Sequence, residues 1–131
     1  MPLQPIISRT QVLIVEDDDT ARTMYATALT ESGYQVRTAP DGLAGLRLLE
    51  AFEPDVVVLD LGLPIATGFD VLHELRAAAR THNTPVIAIS GNDAGLKLAK
   101  ANPEFFATIP KPFDPDTLVH LVGRASRQLY T

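Results

Sequence analysis

The sequence predicts an α/β fold with a doubly wound, five-stranded parallel sheet and five helices. The chain has 131 residues, a length that suits one domain. Short, unbroken apolar runs such as "VVVL" are rich in β-branched residues, which is typical of parallel strands buried on both faces. These runs alternate with segments of helical periodicity. Right-handed crossovers between consecutive strands then place helices on both faces of the sheet.

Two strand–helix units make up the first half of the chain. The first strand is an apolar run, and the helix after it has an N-cap candidate at Asp18 or Asp19 and ends at Gly33. The second strand alternates apolar and polar residues, and Pro40 and Asp41 open the second helix. The leucines on one face of that helix are Leu43, Leu46 and Leu49. The two predicted strands are Gln11–Val15 and Tyr34–Ala39.

The second half of the chain repeats this alternation three times. Pro54 ends the second helix before a buried strand, and a loop through Gly68 leads to the third helix. The fourth helix ends before Pro103, and Pro115 lies in the first turn of the fifth helix. Pro110 lacks a backbone N–H, so we expect the last strand at a sheet edge. The predicted elements are the strands Asp55–Leu59, Thr84–Ser90 and Ala107–Pro110, a helix with Phe69, Leu72, Leu75 and Ala79 on its apolar face, and helices from 93 to 101 and from 114 to about 128.

Composition argues against several classes of protein. The chain has no cysteine, which excludes disulfides, thiol nucleophiles and zinc–thiolate sites. No stretch approaches the roughly 20 apolar residues of a membrane span, and the first ten residues lack a signal-peptide pattern, so we expect a cytoplasmic protein that does not contact a membrane. A net charge of −5 without a basic run argues against direct nucleic-acid binding. We expect an N-terminal tail over 1–9 and a domain over 10–128, with no linker after it, which favours a stand-alone protein.

Chemically reactive side chains follow four of the five strands. Glu16 and Asp17 follow the first strand, Asp60 the third, Ser90 ends the fourth and Lys111 follows the fifth. The carboxyl ends of parallel strands meet at one edge of the sheet, so these residues converge there. Converging carboxylates repel each other, and Mg²⁺ suits such oxygen ligands while still accepting a phosphate oxygen. The cluster predicts that Asp60 attacks phosphorus and forms an acyl phosphate, with Lys111 and Ser90 as partners of the phosphate.

Simpler roles explain each of these residues when it is taken alone. Strand-end aspartates also serve in turns, and single serines and lysines are common on loops and surfaces. Asp18 and Asp19 are interpreted as helix-capping and solvated acids and are not included in the site. Three histidines lack the spacing of metal ligands and are interpreted as surface or helix residues: His73, His82 and His120. Convergence favours the site, because caps and turns give no reason for acids, a hydroxyl and an amine to end four strands of one sheet.

The segments "VLIVEDD", "VVVLDLGLPIATGFDVL", "VIAIS" and "IPKPF" resemble, in this order and spacing, the receiver domain of two-component response regulators. The resemblance covers nearly the whole chain and implies the CheY-like strand order 2-1-3-4-5. It implies that Asp60 is the phosphoacceptor and that Glu16, Asp17 and Asp60 bind Mg²⁺, with Mn²⁺ as an alternative ion. The backbone carbonyl of Gly62 is implied as a further metal ligand. The resemblance also implies that Ser90 is the switch hydroxyl and Lys111 the phosphate-binding lysine.

Further features of the site follow from the same resemblance. The peptide bond before Pro112 is expected to be cis, and Gly62 and Asn92 occupy positions that tune hydrolysis of the acyl phosphate. Thr108 occupies the switch position at which the family has an aromatic residue, and a threonine cannot swing a ring between exposed and buried states. The helix expected between Asn92 and Pro103 is short, because this segment contains Gly95.

The implied function is a signalling switch rather than an enzyme, with only slow self-phosphorylation and self-dephosphorylation. The implied partners are a histidine kinase or a phosphotransfer protein and an unknown downstream protein or output domain. The chain is expected to be a monomer or a phosphorylation-dependent dimer. A receiver cut from a hybrid kinase or a multidomain regulator is the alternative. A flavodoxin-like cofactor binder is disfavoured because four acids after the first strand would repel a phosphate, and an aspartyl-phosphate hydrolase because its usual second acid is replaced by Gly62.

Overall fold

The structure, a computed structural model, describes residues 10–63 and 67–128 of the chain. Strands and helices alternate throughout. The strands are β1 (Gln11–Val15), β2 (Gln35–Ala39), β3 (Val56–Asp60), β4 (Val86–Ser90) and β5 (Ala107–Pro110). The helices are α1 (Asp19–Glu31), α2 (Gly42–Leu49), α3 (Gly68–Ala77), α4 (Asp93–Lys100) and α5 (Pro115–Gln128). Across the described ranges, none of these helices combines the length and the apolar character that crossing a membrane requires. The predicted tail over 1–9 lies outside the described residues.

All five strands run parallel in one sheet with the order β2-β1-β3-β4-β5. The predicted doubly wound α/β fold is therefore confirmed, and β5 with its Pro110 lies at an edge as expected. The strand order reverses between β1 and β3, and ligands of such sheets bind beyond the carboxyl ends at this point. Val15 pairs with Leu59 across these two strands. Glu16 and Asp60 are the next residues of each, so the fold places them side by side.

The sheet separates two apolar cores. Every residue of β3 and β4 is buried, which is what a parallel sheet covered by helices on both faces requires. Alternate strand residues such as Leu13 and Val57 pack on one face with side chains from α2, α3 and α4. Their neighbours in sequence, such as Val12 and Val58, pack on the other face with α1 and α5. Packing on both faces therefore fixes the strand ends that carry the acids.

Local sequence sets the ends of the helices. Asp18 is the N-cap of α1, and its carboxylate accepts a hydrogen bond from the Ala21 N–H at 2.7 Å, which confirms its interpretation as a cap. Gly33 follows α1 with a φ of +98°, a left-handed conformation that side chains with a Cβ rarely adopt. Thr67 and Asp70 form a reciprocal capping box at the start of α3.

Some details of the sequence prediction are wrong. Leu43 is 43% exposed and does not join the core. The reason is that α2 packs through its glycines: a Cβ on Gly45 would lie 3.0 Å from Val15 Cγ2, so the buried stripe of the helix is rotated away from Leu43. β3 is shifted by one residue from the prediction, beginning at Val56 and including Asp60, and β2 and β4 begin one and two residues later than predicted. α3 ends before Ala79, which is exposed.

Candidate functional site

Three carboxylates meet beyond the carboxyl ends of β1 and β3. Glu16 and Asp17 directly follow β1, and Asp60 is the last residue of β3. One carboxylate oxygen of each acid lies within 4.8 Å of the other two. Glu16 is fully buried and Asp60 nearly so, whereas Asp17 is exposed. The structure therefore brings together the three acids that the sequence predicted as metal ligands.

The amine of Lys111 reaches this cluster from β5. Its Nζ lies 2.6 Å from Glu16 Oε1 and 3.1 Å from Asp60 Oδ2, where it donates a hydrogen bond. Glu16 Oε2 accepts a hydrogen bond from the Asp18 N–H at 3.2 Å. Among the described residues, Glu16 Oε1 is the buried side-chain oxygen without a hydrogen bond, so its contact with Lys111 is an ion pair only. One ammonium thus faces two buried carboxylates, which leaves the cluster with excess negative charge.

The pKa values of the two buried acids, Glu16 and Asp60, shift in opposite directions. Burial and the neighbouring Asp60 raise the pKa of Glu16 from 4.5 to about 7. Burial also acts to raise the pKa of Asp60, but the neighbouring Glu16, the hydrogen bond from the Gly62 N–H and the charge of Lys111 bring it below its usual value. Burial acts to lower the pKa of Lys111, and the two carboxylates raise it above its usual value instead. At neutral pH the carboxylate of Asp60 is therefore ionised beside a charged lysine.

The backbone around Asp60 is tightly supported. The Gly62 N–H donates to Asp60 Oδ1 at 2.9 Å. The next helix begins directly against this backbone: a Cβ on Gly68 would lie 2.7 Å from the Asp60 carbonyl oxygen and 2.9 Å from Leu61 Cα. Such distances are shorter than real Cβ contacts, so the close approach of α3 to β3 requires a glycine here. Gly68 therefore helps to position Asp60, a role that its predicted place in a loop does not indicate.

Ser90 is buried at the end of β4, and its hydroxyl is hydrogen-bonded to the backbone of the following loop. Its Oγ donates to the Asn92 carbonyl at 3.1 Å and accepts from the Asn92 N–H at 3.0 Å. A cavity of about 260 Å³ adjoins this loop, lined by Leu61, Gly62, Phe69, Ser90, Asn92 and Gly95. Gly62 and Asn92 are exposed on its rim. The structure thus places Ser90, Gly62 and Asn92 around one opening next to Asp60.

The backbone of Lys111, directly after β5, is hydrogen-bonded to the end of β4. The Lys111–Pro112 peptide bond is cis, and the Lys111 N–H donates to the Ser90 carbonyl at 2.8 Å. Thr108 lies in β5, half-buried, in register with Ala88 of β4. The nearby ring of Phe105 is buried and packs edge-on against Phe69 with 5.8 Å between the ring centroids. The switch position therefore carries no ring, and the Phe105 ring is already packed in the core.

Sequence reasoning missed one charged residue beside the acids. The guanidinium of Arg22 donates to the backbone carbonyl of Glu16 at 3.0 Å and pairs with Asp19. Its acceptor at Glu16 is a main-chain oxygen, which every residue carries. The sequence therefore contains no signal for this contact beyond a basic residue one turn into a helix.

Comparison with known proteins points to one family. The family model of the response regulator receiver domain matches residues 12–123. The chain is 35% identical over 123 residues to the transcriptional regulatory protein CseB of Streptomyces coelicolor, an alignment that covers 92% of this chain and 50% of that protein. It is 31% identical over 115 residues to the DNA-binding transcriptional regulator NtrC of Rhizobium meliloti, covering 87% of this chain and 23% of that protein. The chain thus spans half or less of the length of these two relatives.

Solved structures show the same fold. The chemotaxis response regulator CheY4 of Vibrio cholerae superposes with a TM-score of 0.81 at 28% sequence identity. This match covers 90% of the present chain and 99% of CheY4. Unlike the two transcriptional regulators, this structural relative is matched along nearly its whole length.

Proposed function

This chain belongs to the response regulator receiver domain family, and from that premise we propose that the carboxylate of Asp60 accepts a phosphoryl group in a Mg²⁺-dependent reaction. The donor is a phosphohistidine of a histidine kinase or of a phosphotransfer protein. The observation that carries the proposal is the convergence of groups on one carboxylate. Lys111 Nζ lies 3.1 Å from Asp60 Oδ2, and Glu16 and Asp17 place carboxylate oxygens within 4.8 Å.

The acidic cluster has the chemistry of a site for a hard divalent cation. Within residues 10–63 and 67–128, Glu16 Oε1 is buried without a hydrogen bond, and Lys111 supplies the ammonium that faces two buried carboxylates. Oxygen ligands of this kind suit Mg²⁺, which Glu16, Asp17 and Asp60 would hold together with the backbone carbonyl of Gly62. When bound, the ion supplies positive charge that offsets the negative charge on a transferring phosphoryl group. Mn²⁺ prefers similar oxygen ligands and is the alternative ion.

Asp60 is the acid that acts as nucleophile. Its lowered pKa keeps it ionised at neutral pH, and the Gly62 N–H and Lys111 hold its two oxygens. One carboxylate oxygen attacks phosphorus, a P–O bond forms, and the bond between phosphorus and the donor histidine nitrogen breaks. The electron pair of the broken bond returns to that nitrogen. The product is an acyl phosphate on Asp60, held in place by a rigid strand end.

Ser90 and Lys111 respond to the new phosphoryl oxygens. The ammonium of Lys111 shifts its contact from the Asp60 carboxylate to the phosphoryl group. Ser90 Oγ donates to the Asn92 carbonyl in the present structure, so donation to a phosphoryl oxygen requires that bond to break. The loop at Asn92 and the start of α4 then change conformation. Since Thr108 has no ring to reorient, this loop carries the signal in this chain. Gly62 and Asn92 control access of the water that slowly hydrolyses the acyl phosphate.

The output is a change in affinity for another protein or for an attached output domain. Phosphorylation acts as a covalent ligand that shifts the population of two conformations of the surface from Asn92 to Thr108. The switching unit is the receiver domain over 10–128, placed in the cytoplasm and acting as a monomer or a phosphorylation-dependent dimer. The whole chain has a net charge of −5, and direct contact with nucleic acid is not part of the proposal. Because the chain spans half or less of two relatives, a receiver within a longer regulator or hybrid kinase is the alternative.

Phosphorylation from a small donor tests this proposal. The protein is incubated with acetyl phosphate, with Mg²⁺ or with EDTA, and its intact mass is recorded. The wild type is expected to gain the mass of one phosphoryl group in Mg²⁺ only. Asp60→Asn, which keeps the size of the side chain, is the matched control and is expected to gain nothing. A gain in EDTA, or an equal gain by Asp60→Asn, contradicts the proposal, as does the absence of any gain from both acetyl phosphate and a phosphorylated histidine phosphotransfer protein.

A further inference from the structure

We infer that Arg22 is a positioning residue for the loop that presents the metal ligands, an inference that rests on the proposed Mg²⁺ site. This metal-binding loop, residues 16–18, joins β1 to α1. The side chain of Arg22 projects from the first turn of α1 and is only 19% exposed. Its Nη1 donates to the Glu16 carbonyl at 3.0 Å, and its Nη2 pairs with the Asp19 carboxylate. One guanidinium therefore joins the first residue of the metal-binding loop to the first residue of α1.

The metal-binding loop needs this support because it concentrates negative charge. Four successive acids run from Glu16 to Asp19, and their repulsion favours a splayed loop. The Glu16 N–H is anchored to the Ala39 carbonyl at 3.0 Å, so the sheet holds one side of that residue. Arg22 holds its other side through the carbonyl. The planar fork of an arginine donates from two nitrogens at once, which a lysine cannot do.

Arg22 does not occupy the carboxylates that would bind a cation. It binds a main-chain carbonyl and the capping-region acid Asp19, and it leaves the carboxylates of Glu16 and Asp17 for a cation. Lys111, by contrast, lies against the carboxylates themselves. Lys111 and Arg22 thus differ in what they do: Lys111 partners the reacting groups, whereas Arg22 fixes the backbone from which two ligands project.

The charge of Arg22 and its positioning role lead to opposite predictions for Mg²⁺ affinity when Arg22 is replaced. A positive charge close to a cation site weakens cation binding by repulsion, so its removal on charge grounds alone would tighten Mg²⁺ binding. If Arg22 fixes the geometry of the metal-binding loop, its removal weakens binding instead. Changes to residues that orient metal ligands commonly lower metal affinity about 10- to 100-fold, and the lower end is expected here because the loop also has the N-cap of α1.

The test is a calorimetric titration of Mg²⁺ into the wild type and the variants Arg22→Met, Arg22→Lys and Arg47→Met. Arg47 is an exposed arginine on α2, so its replacement serves as the control. Arg22→Met and Arg22→Lys are each expected to raise the Kd about tenfold, and Arg47→Met to leave it unchanged. The resonance of the Asp18 amide, which donates to Glu16 Oε2, is expected to shift in both metal-free Arg22 variants. Urea denaturation shows that each variant is folded, and a purely structural role would lower its stability without changing the Kd of the folded protein.

The outcomes separate this inference from the function on which it rests. If the wild type does not bind Mg²⁺, the proposed metal site and the role of Arg22 are both wrong. If the wild type binds and Arg22→Met binds equally or more tightly, the metal site stands and only the positioning role is wrong. If Arg22→Lys binds like the wild type, contact from two nitrogens is not required, which also overturns the inference.

Discussion

Replacing Gly68 by alanine tests whether the close approach of α3 fixes the reactive strand end. The added Cβ would lie 2.7 Å from the Asp60 carbonyl oxygen, 2.9 Å from Leu61 Cα and 2.9 Å from Leu61 Cδ2. Two of these atoms belong to the backbone of β3 and the residue after it, so they cannot turn away as a side chain would. The start of α3 must therefore move by several tenths of an ångström, and the capping box of Thr67 moves with it.

The expected change in the free energy of unfolding follows from two opposing effects. Overpacking of this kind costs about 1–3 kcal/mol, and the upper part of the range applies because the contacts are with backbone. Alanine is favoured over glycine within a helix by at most about 1 kcal/mol, and by less at the first helical residue. We therefore expect Gly68→Ala to lower the free energy of unfolding by about 2 kcal/mol. Because the strained backbone belongs to Asp60, phosphorylation is expected to slow as well.

Urea denaturation measures the stability change, and the rate of mass gain with acetyl phosphate measures the effect on the site. Gly62→Ala is the control for stability alone, since a Cβ there lies at an ordinary 3.6 Å from Asp60 Oδ1 and should leave stability nearly unchanged. Equal stability of Gly68→Ala and the wild type would show that α3 does not constrain β3 in this way.

Two further substitutions test the electrostatics and the loops. Burial raises the pKa of Glu16 from 4.5 to about 7 in the metal-free fold, so the folded state binds protons more tightly and wild-type stability falls as pH rises across that interval. In EDTA near pH 8, the free energy of unfolding of Glu16→Gln should therefore exceed that of the wild type by up to about 3 kcal/mol, and near pH 4 this gain should be absent. Urea denaturation at the two pH values measures the difference, and a less stable variant near pH 8 contradicts this prediction. Arg76 donates to the carbonyls of Thr81, His82, Thr84 and Glu104. Arg76→Met should lower the thermal midpoint through a loss of about 2–4 kcal/mol, and an unchanged midpoint refutes the role of these bonds.

The sequence was sufficient to predict the sheet and the main site, because both follow from patterns along the chain. Apolar runs alternating with helical segments specify parallel strands, and parallel strands deliver their carboxyl-terminal residues to one edge. The order of the strands therefore predicts that Glu16, Asp60 and Lys111 converge. Their pairing at 2.6 Å and 3.1 Å agrees with that prediction.

Other features could not be predicted because they depend on distances between elements. The leucine pattern of α2 suggested that Leu43 is buried, yet the helix approaches the sheet through Gly45, and no hydrophobic pattern signals a missing side chain. Gly68 is required only because α3 starts against the backbone of Asp60. Arg22 and Arg76 both bind main-chain carbonyls, which every residue offers, so the sequence shows no complementary partner for either.

Chemical mapping of the phosphorylated residue tests the central claim most directly. Protein phosphorylated in Mg²⁺ is treated with borohydride, which reduces an acyl phosphate to the corresponding alcohol, and peptides are then sequenced by mass spectrometry. The structure predicts homoserine at position 60 and unmodified aspartates at positions 17, 18 and 19. Homoserine at any of those three positions, with residue 60 unchanged, would contradict the assignment of Asp60 as the nucleophile.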